Sequence, residues 1–393
     1  MSNIPEEVYL EILYRVPVET TYVCKCVCKS WLAIISAPAV VKMHLNVTIQ
    51  KNNPNLMIKY HDPIHQTTPL FSVSYDSLSS SMNEIEDVAL NMDYPLESYG
   101  FLFKTLGICD GLFCLGFEVS VTDVLYLWNP ATKEYKELPD SPNESSANQE
   151  LGICGFCYDD KIHDYKIVKL LQYTRIVGDS YPVDRIDQSQ GMSLVDVYTM
   201  GSNSWKSIES VAYSFPICGV PGVLVNGALH WLGHTQALQR SLVMVSFNVN
   251  EERFEELQLP KQPFEKKNIF VTLGLLKGCL CVINSVDCDR FQIWRMQDYG
   301  VRESWNLCHV ITNERIVNDS LLILVWFKSG EILFQIPGDL VFYDTKNGTA
   351  REPNIRSSSL VLMKQETYFE SLVSLNSGTF VQPWRIEEEI IEE

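Results

Sequence analysis

The sequence predicts a small all-α head of three short helices followed by an all-β, propeller-like body of six blades closed by strands from both chain ends. Three observations carry this. Helical apolar spacing is confined to about the first 45 residues, turn glycines then recur at intervals near 50 residues, and an aromatic-bearing strand pair follows each turn. A chain of 393 residues is long for an ordinary domain, but propellers run large as single units. The apolar fraction of 46% suffices for a core.

In the head, Asn3 is placed to cap a helix whose first turn holds Pro5, Glu6 and Glu7. Proline there loses no needed N–H, and the acids complement the positive helix end. Val8, Ile12 and Leu13 form one apolar face, and Val16-Pro17 closes the helix. A second helix is expected over about 18–25 and a third over about 27–35, with Val27, Trp31, Ile34 and Ile35 at helical spacing until Ala37-Pro38 breaks the run. So small a unit cannot bury all these apolar groups alone, so a partner is expected to cover some of them.

From about Leu45 onward, short β-branched and aromatic runs alternate with turn residues, the pattern of an all-β body. Hairpins are predicted at Cys109–Phe113, Val225–Leu229, Leu276–Leu280 and Phe327–Glu331, with another at Tyr158–Tyr165. The gaps between Gly227, Gly278 and Gly330 are 51 and 52 residues. Each hairpin is followed by a second strand pair, among them Trp128-Asn129-Pro130-Ala131-Thr132-Lys133, Val197-Tyr198-Thr199 with Trp205, and Ile293-Trp294-Arg295 with Trp305. Such a unit is a propeller blade. Five are read directly. The sixth is expected to form when 359–375 pairs with early strands near 45–60 and 71–75, which removes a free sheet edge. The domain reading is 1–45 for the head, 46–380 for the body and 381–393 for an acidic, frayed tail.

The pattern Ile4-Pro5, Glu11-Ile12-Leu13, Val16-Pro17-Val18 and then Cys26-Val27-Cys28-Lys29-Ser30-Trp31 resembles the F-box of plant F-box proteins. One departure is Thr20-Thr21-Tyr22, where the family carries a Leu, a basic residue and Phe; Tyr22 keeps an aromatic body, and a weaker helix is expected there. Segments such as Gly111-Leu112-Phe113-Cys114-Leu115 before Trp128-Asn129-Pro130, and Asn226-Gly227-Ala228-Leu229-His230-Trp231-Leu232, resemble the kelch-like F-box-associated domain of the same family. The resemblance implies a substrate-recognition subunit of an SCF-type ubiquitin ligase, non-catalytic and without cofactor. The F-box would bind a Skp-type adaptor tied to a cullin scaffold, and the β body would bind the target protein. Carried over, the adaptor contacts are Pro5, Ile12, Leu13, Val16, Pro17, Val27, Trp31 and Leu32. Substrate contacts are expected on the loops from Pro139 to Gln149, Tyr173 to Gly191 and His234 to Arg240. Within the family, self-incompatibility recognition at the pollen S-locus and control of immune receptors both occur, and nothing in the sequence separates them.

The net charge of −18 repels polyanions, so nucleic acid is not an expected partner. The charge lies outside the head, where Glu6, Glu7, Glu11 and Glu19 balance Arg15, Lys25, Lys29 and Lys42. No run of about 18 apolar residues occurs, so no membrane span is expected. The N-terminus is acidic rather than signal-like and the twelve cysteines form no secreted framework, which points to cytoplasm or nucleus.

Other chemistry reads as structural. Cys24, Cys26 and Cys28 lack a second ligand pair for zinc, and Cys154 with Cys157 sits in a strand rather than at a redox helix start. Asp159, Asp160, His163 and Asp164 read as a hairpin turn rather than an acid–base or metal site. His230 reads as a core histidine. A propeller hydrolase or lyase, or a lectin-like module, are the competing functions; the first needs clustered His and carboxylates at the ring centre, the second exposed Trp beside carboxylates.

Overall fold

The computed structural model describes residues 6–375 except 52, 66, 81–82, 85–88, 97–102, 120–121, 144–151, 173–174, 177–185, 188–191, 216–219, 237–240, 262–270, 287–289, 318–323, 328, 337–338, 354 and 357–360. The acidic tail therefore lies outside the described residues.

The expected helices are present as α1 (Glu6–Leu13), α2 (Val18–Cys24) and α3 (Lys29–Ser36). A fourth, α4 (Pro38–Lys51), was not foreseen, and it carries the helical segment past position 45. Pro38 ends α3 but also opens α4, because its fixed φ and missing N–H suit a first helical position. The β-branched residues Val40, Val41, Val47, Thr48 and Ile49 hide this helix from propensity reasoning. α2 forms through the atypical Thr20-Thr21-Tyr22 stretch, with Thr21 fully buried.

Behind the head stand six blades. Blade I combines Val361–Tyr368, Asn55–His61, Leu70–Ser74 and Leu90–Asn91 in that spatial order. Blade II is Phe103–Cys109, Leu112–Val119, Thr122–Asn129 and Glu134–Glu137; blade III is Ile153–Asp159, Asp164–Gln172, Ser193–Thr199 and Ser204–Val211. Blade IV is Val223–Val225, Ala228–Thr235, Leu242–Asn248 and Arg253–Leu257, with Tyr213–Ser214 added beside its second strand. Blade V is Val271–Leu276, Cys279–Val286, Arg290–Met296 and Trp305–Ile311, and blade VI is Leu324–Trp326, Glu331–Ile336, Asp339–Asp344 and Thr349–Arg351. The first strands of blades II to VI adjoin one another in turn around the ring axis.

Turn chemistry sets the hairpins. Asp110-Gly111, Asn226-Gly227 and Lys277-Gly278 have positive φ at both residues, the type I′ arrangement whose twist matches the flanking strands. A second turn recurs in which an Asn or Asp side-chain oxygen accepts two backbone N–H groups just ahead. Asn129, Asp159, Asn248 and Asp344 all do this.

Each blade boundary carries its own apolar cluster, and the second and third strands feed two clusters at once. Leu112 and Cys114 pack toward blade III, whereas Phe113, Leu115 and Phe117 pack toward blade I. Ile167 joins blade II, and Val168 and Leu170 join blade IV. Strands buried on both faces read as continuous apolar runs, which is why these segments stand out in the sequence.

The ring closes as expected from both ends. Val361–Tyr368 pairs antiparallel with Asn55–His61, from Asn55 opposite Tyr368 to His61 opposite Val361. The Gln335 side chain of blade VI bonds this closing strand at Met363 O (2.9 Å) and Gln365 N (3.1 Å). A parallel pairing of Ile355–Arg356 with Asn83–Glu84 adds a second tie between blades VI and I.

Candidate functional site

Antiparallel meandering puts the first-to-second and third-to-fourth turns of blades II to VI at one end of the ring. The second-to-third loops lie at the other. The helical head sits on the turn end. Lys42 of α4 reaches Asp160 (3.5 Å) and covers the Tyr158 ring, both at the first turn of blade III. Ala131, in the last turn of blade II, packs on the core of the head.

That core is Leu13, Val18 and Ile35, with Tyr22, Cys24, Trp31, Ile34 and Val41 around it. The link between α1 and α2 is held from behind. His44 Nε2 bonds Val16 O at 2.9 Å, Thr21 Oγ1 reaches the same oxygen, and Lys51 donates to Arg15 O. Burial lowers the pKa of His44, and because the Val16 carbonyl can only accept, Nε2–H is the donor.

Several large apolar side chains of the head are exposed. Ile12 (54% exposed), Val27 (65%) and Leu32 (48%) stand in solvent, and Pro17 is exposed. Val8, Val23, Met43 and Ile49 join them, though sequence reasoning did not single them out as contacts. Seven of the 18 large apolar side chains exposed among the described residues therefore lie within the helical head. The other expected contacts divide. Leu13 is buried in the head's core, Val16 and Trp31 are half-buried, and Trp31 meets Tyr9 edge to face at 6.2 Å. Pro5 lies outside the described residues. Leu13 and Trp31 thus shape the exposed surface from within.

The three expected substrate loops leave the blades away from the head. Two of them, from Tyr173 to Gly191 and from His234 to Arg240, are second-to-third loops of blades III and IV. Within the first, Arg175–Ile176 pairs antiparallel with Ile186–Asp187 as a separate two-stranded ribbon. The second is closed at its base by Thr235 N to Ser241 O (3.0 Å) and Ser241 N to Thr235 Oγ1 (3.2 Å). The third, from Pro139 to Gln149, is described only to residue 143, and that part is fastened to the flank of blade III. Trp205 Nε1 donates to Pro139 O at 2.6 Å, and the buried Asp196 carboxylate accepts from Ser141 Oγ and from Asn143 N and Nδ2. Residues 139–143 are therefore an anchor rather than a free loop. The remainders 144–149, 173–174, 177–185, 188–191 and 237–240 lie outside the described residues.

The polar groups weighed in the sequence serve structural roles, with Asp159 and His230 buried and Asp160 and His163 exposed at the turn. Asp159 Oδ1 accepts Lys161 and Ile162 N–H, and Asp164 accepts Gly201 N–H, so this cluster closes turns. His230 is fully buried; Nδ1–H donates to Val223 O (3.0 Å) and Nε2 meets Tyr299 OH (2.8 Å). Burial pushes its pKa down to about 4. Cys154 and Cys157 are buried, with the Cys157 thiol pushed up by burial to about 12. No group of three or more His, Cys, Asp or Glu converges as a metal site among the described residues.

Sequence reasoning missed one cluster. Lys166, nearly buried, contacts Asp159 Oδ2 (2.6 Å), Glu252 Oε1 (2.9 Å) and Val249 O (3.2 Å), and Lys206 completes the set on Glu252 (2.6 Å). It bolts blade III to blade IV. Its signal was a lysine inside the apolar run Tyr165-Lys166-Ile167-Val168.

Comparison with known proteins finds both parts. Residues 55–373 match the family model described as the F-box associated beta propeller domain, and residues 1–42 match that of the F-box domain. The chain is similar to F-box protein CPR1 of Arabidopsis thaliana, at 29% identity over 337 residues, which covers 81% of this chain and 75% of that protein. It is also similar to an F-box/kelch-repeat protein of the same plant, at 26% identity over 95% of this chain and 96% of that one.

Proposed function

This chain belongs to the F-box proteins that carry an F-box-associated β-propeller domain, and on that premise we propose that it is the substrate-recognition subunit of an SCF-type ubiquitin ligase. The head docks a Skp-type adaptor that is tied to a cullin scaffold. The propeller holds the target protein. The observation that carries the reading is the set of exposed apolar side chains on a helical head fixed to the turn end of the ring.

The mechanism is proximity. Holding the target and the ubiquitin-charged enzyme on one assembly raises the effective concentration of a target lysine near the thioester. The chain adds no covalent chemistry of its own, and its work is done in the cytoplasm or nucleus. The propeller acts as a spacer whose loop end grips the target. The loops of blades III and IV are its specificity elements. On the docking side, Ile12, Pro17, Val27 and Leu32 meet the adaptor, with Val8 and Val23 beside them, while Leu13 and Trp31 hold the surface in shape.

Co-purification tests this. The full-length chain is expected to capture a Skp-type adaptor. Ile12→Asp and Leu32→Asp should lose capture with unchanged melting, because both side chains stand in solvent. Undiminished capture by both variants would sink the assignment of the docking surface. No capture by the unaltered chain would sink the ligase reading itself.

A further inference from the structure

After the closing strand Val361–Tyr368, the chain does not leave the molecule. Residues 369–375 cross the turn end of blade II and enter the head. Asn55 Nδ2 bonds Glu370 Oε1 (3.0 Å) at the start, and Glu134 Oε2 accepts Leu375 N–H (2.8 Å) at the end. Between them Asn129 Nδ2 donates to Ser371 O (3.0 Å) and Val373 O (2.7 Å). Its Oδ1 meanwhile accepts Ala131 and Thr132 N–H within its own turn. Gly111 lies so close that a Cβ there would stand 2.7 Å from Ser371 Cβ.

The side chains of this segment point two ways. Leu372, 1% exposed, completes the core of the head against Leu13, Val18 and Ile35. Val373 and Leu375 pack instead into the cluster shared by blades II and III. A strap with one residue in the head and its neighbours in the propeller ties the two together through apolar burial, where the exposed Lys42–Asp160 pair adds little.

We propose that residues 369–375 are the strap that completes the docking head and fixes its orientation on the propeller, with Asn129 and Leu372 as the positioning residues. The inference rests on the ligase reading for its consequence: adaptor docking by the first helices depends on the far end of the chain. A ligase subunit that acts by proximity needs such a fixed angle between its two grips.

Asn129→Asp separates the strap from the turn. A carboxylate still accepts the two turn N–H groups, as Asp344 does in blade VI, but it faces the Ser371 and Val373 carbonyls with no hydrogen to give. Hydrogen exchange on the full-length chain reads the opening of the head. In Asn129→Asp the amides of α2 and α3 should exchange roughly tenfold faster or more. In Leu372→Ala the rise should reach roughly a hundredfold. Blades IV to VI should be unmoved in both, and Asn248→Asp, the matching turn of blade IV, should leave the head unchanged. Adaptor capture should weaken in Leu372→Ala. Unchanged head exchange in both variants would overturn the strap, and so would an equal rise in blades IV to VI. Failure of the unaltered chain to capture an adaptor would count against the ligase reading alone, since the exchange result stands apart from it.

Discussion

Replacing Lys166 by Met should be among the most destabilising single changes in the body. The ammonium lies between Asp159 and Glu252 with only 5% of its side chain exposed, and the Asp159 side chain is 1% exposed. Burial alone would push the Asp159 carboxyl up, yet the Lys166 ammonium and two turn N–H groups outweigh it and hold it below its ordinary value. Burial likewise disfavours the ammonium, but its two carboxylate partners more than compensate and raise the Lys166 pKa. Removing the cation leaves a buried carboxylate unpaired, at a cost of about 3–5 kcal/mol. Urea unfolding near pH 7 reads this directly. Adding Asp159→Asn should return part of the loss, because the amide oxygen still closes the turn at Lys161 and Ile162 while the stranded charge is gone. The pH dependence has a definite sign. Without Lys166 the Asp159 carboxyl titrates higher, so the variant's deficit should shrink as the pH falls and the acid protonates. A loss under about 1 kcal/mol, or no recovery in the double variant, would refute the claim that this pair bolts blade III to blade IV.

Three further outcomes follow from particular contacts. The pKa of His230 is depressed to about 4, below its unfolded value of about 6.5, so stability is full above that value and is lost as the pH falls toward 4. Urea melts across this window should show a slope flatter by up to about 1.4 kcal/mol per pH unit in His230→Gln, and parallel slopes would contradict the assignment. Gly278→Ala meets only the left-handed strain of about 1–2 kcal/mol, because nothing lies near the new methyl. Gly111→Ala meets similar strain and also the strap, so it should melt lower than Gly278→Ala; equal melting would show that the strap yields freely. Gln335→Ala removes both of its bonds to the closing strand, which should cost about 2–4 kcal/mol in denaturant, and a change within error would mean that the strand pairing alone secures the ring.

Most of the body was legible because its signals are local. A type I′ turn needs positive φ at two residues, so Asp110-Gly111 and Asn226-Gly227 declare themselves in the sequence. Strands buried on both faces leave continuous apolar runs such as Leu112–Leu115, which propensity reads well. The head was legible in part. Pro38 reads in the sequence only as a stop after α3, yet its geometry equally suits the first turn of α4. Ile12 and Leu13 are adjacent and equally apolar, and only the packed helices reveal that one faces solvent while the other fills the core. The strap left no trace in pattern, since Asn129 and Ser371 lie 242 residues apart and the bond joins a side chain to a carbonyl. Asn129 itself stood out in the run with Trp128 and Pro130, and its turn role concealed its second role.

The central claim is that the helical head is a docking element for a ligase adaptor, supported by a propeller that points its loops the other way. Calorimetric titration of the purified full-length chain with a Skp-type adaptor tests this most directly. The account predicts saturable binding with one adaptor per chain, abolished by Val27→Asp and unaffected by Leu275→Asp on the propeller. An absence of binding by the unaltered chain at micromolar concentrations, or binding that survives Val27→Asp and is lost with Leu275→Asp, would contradict it.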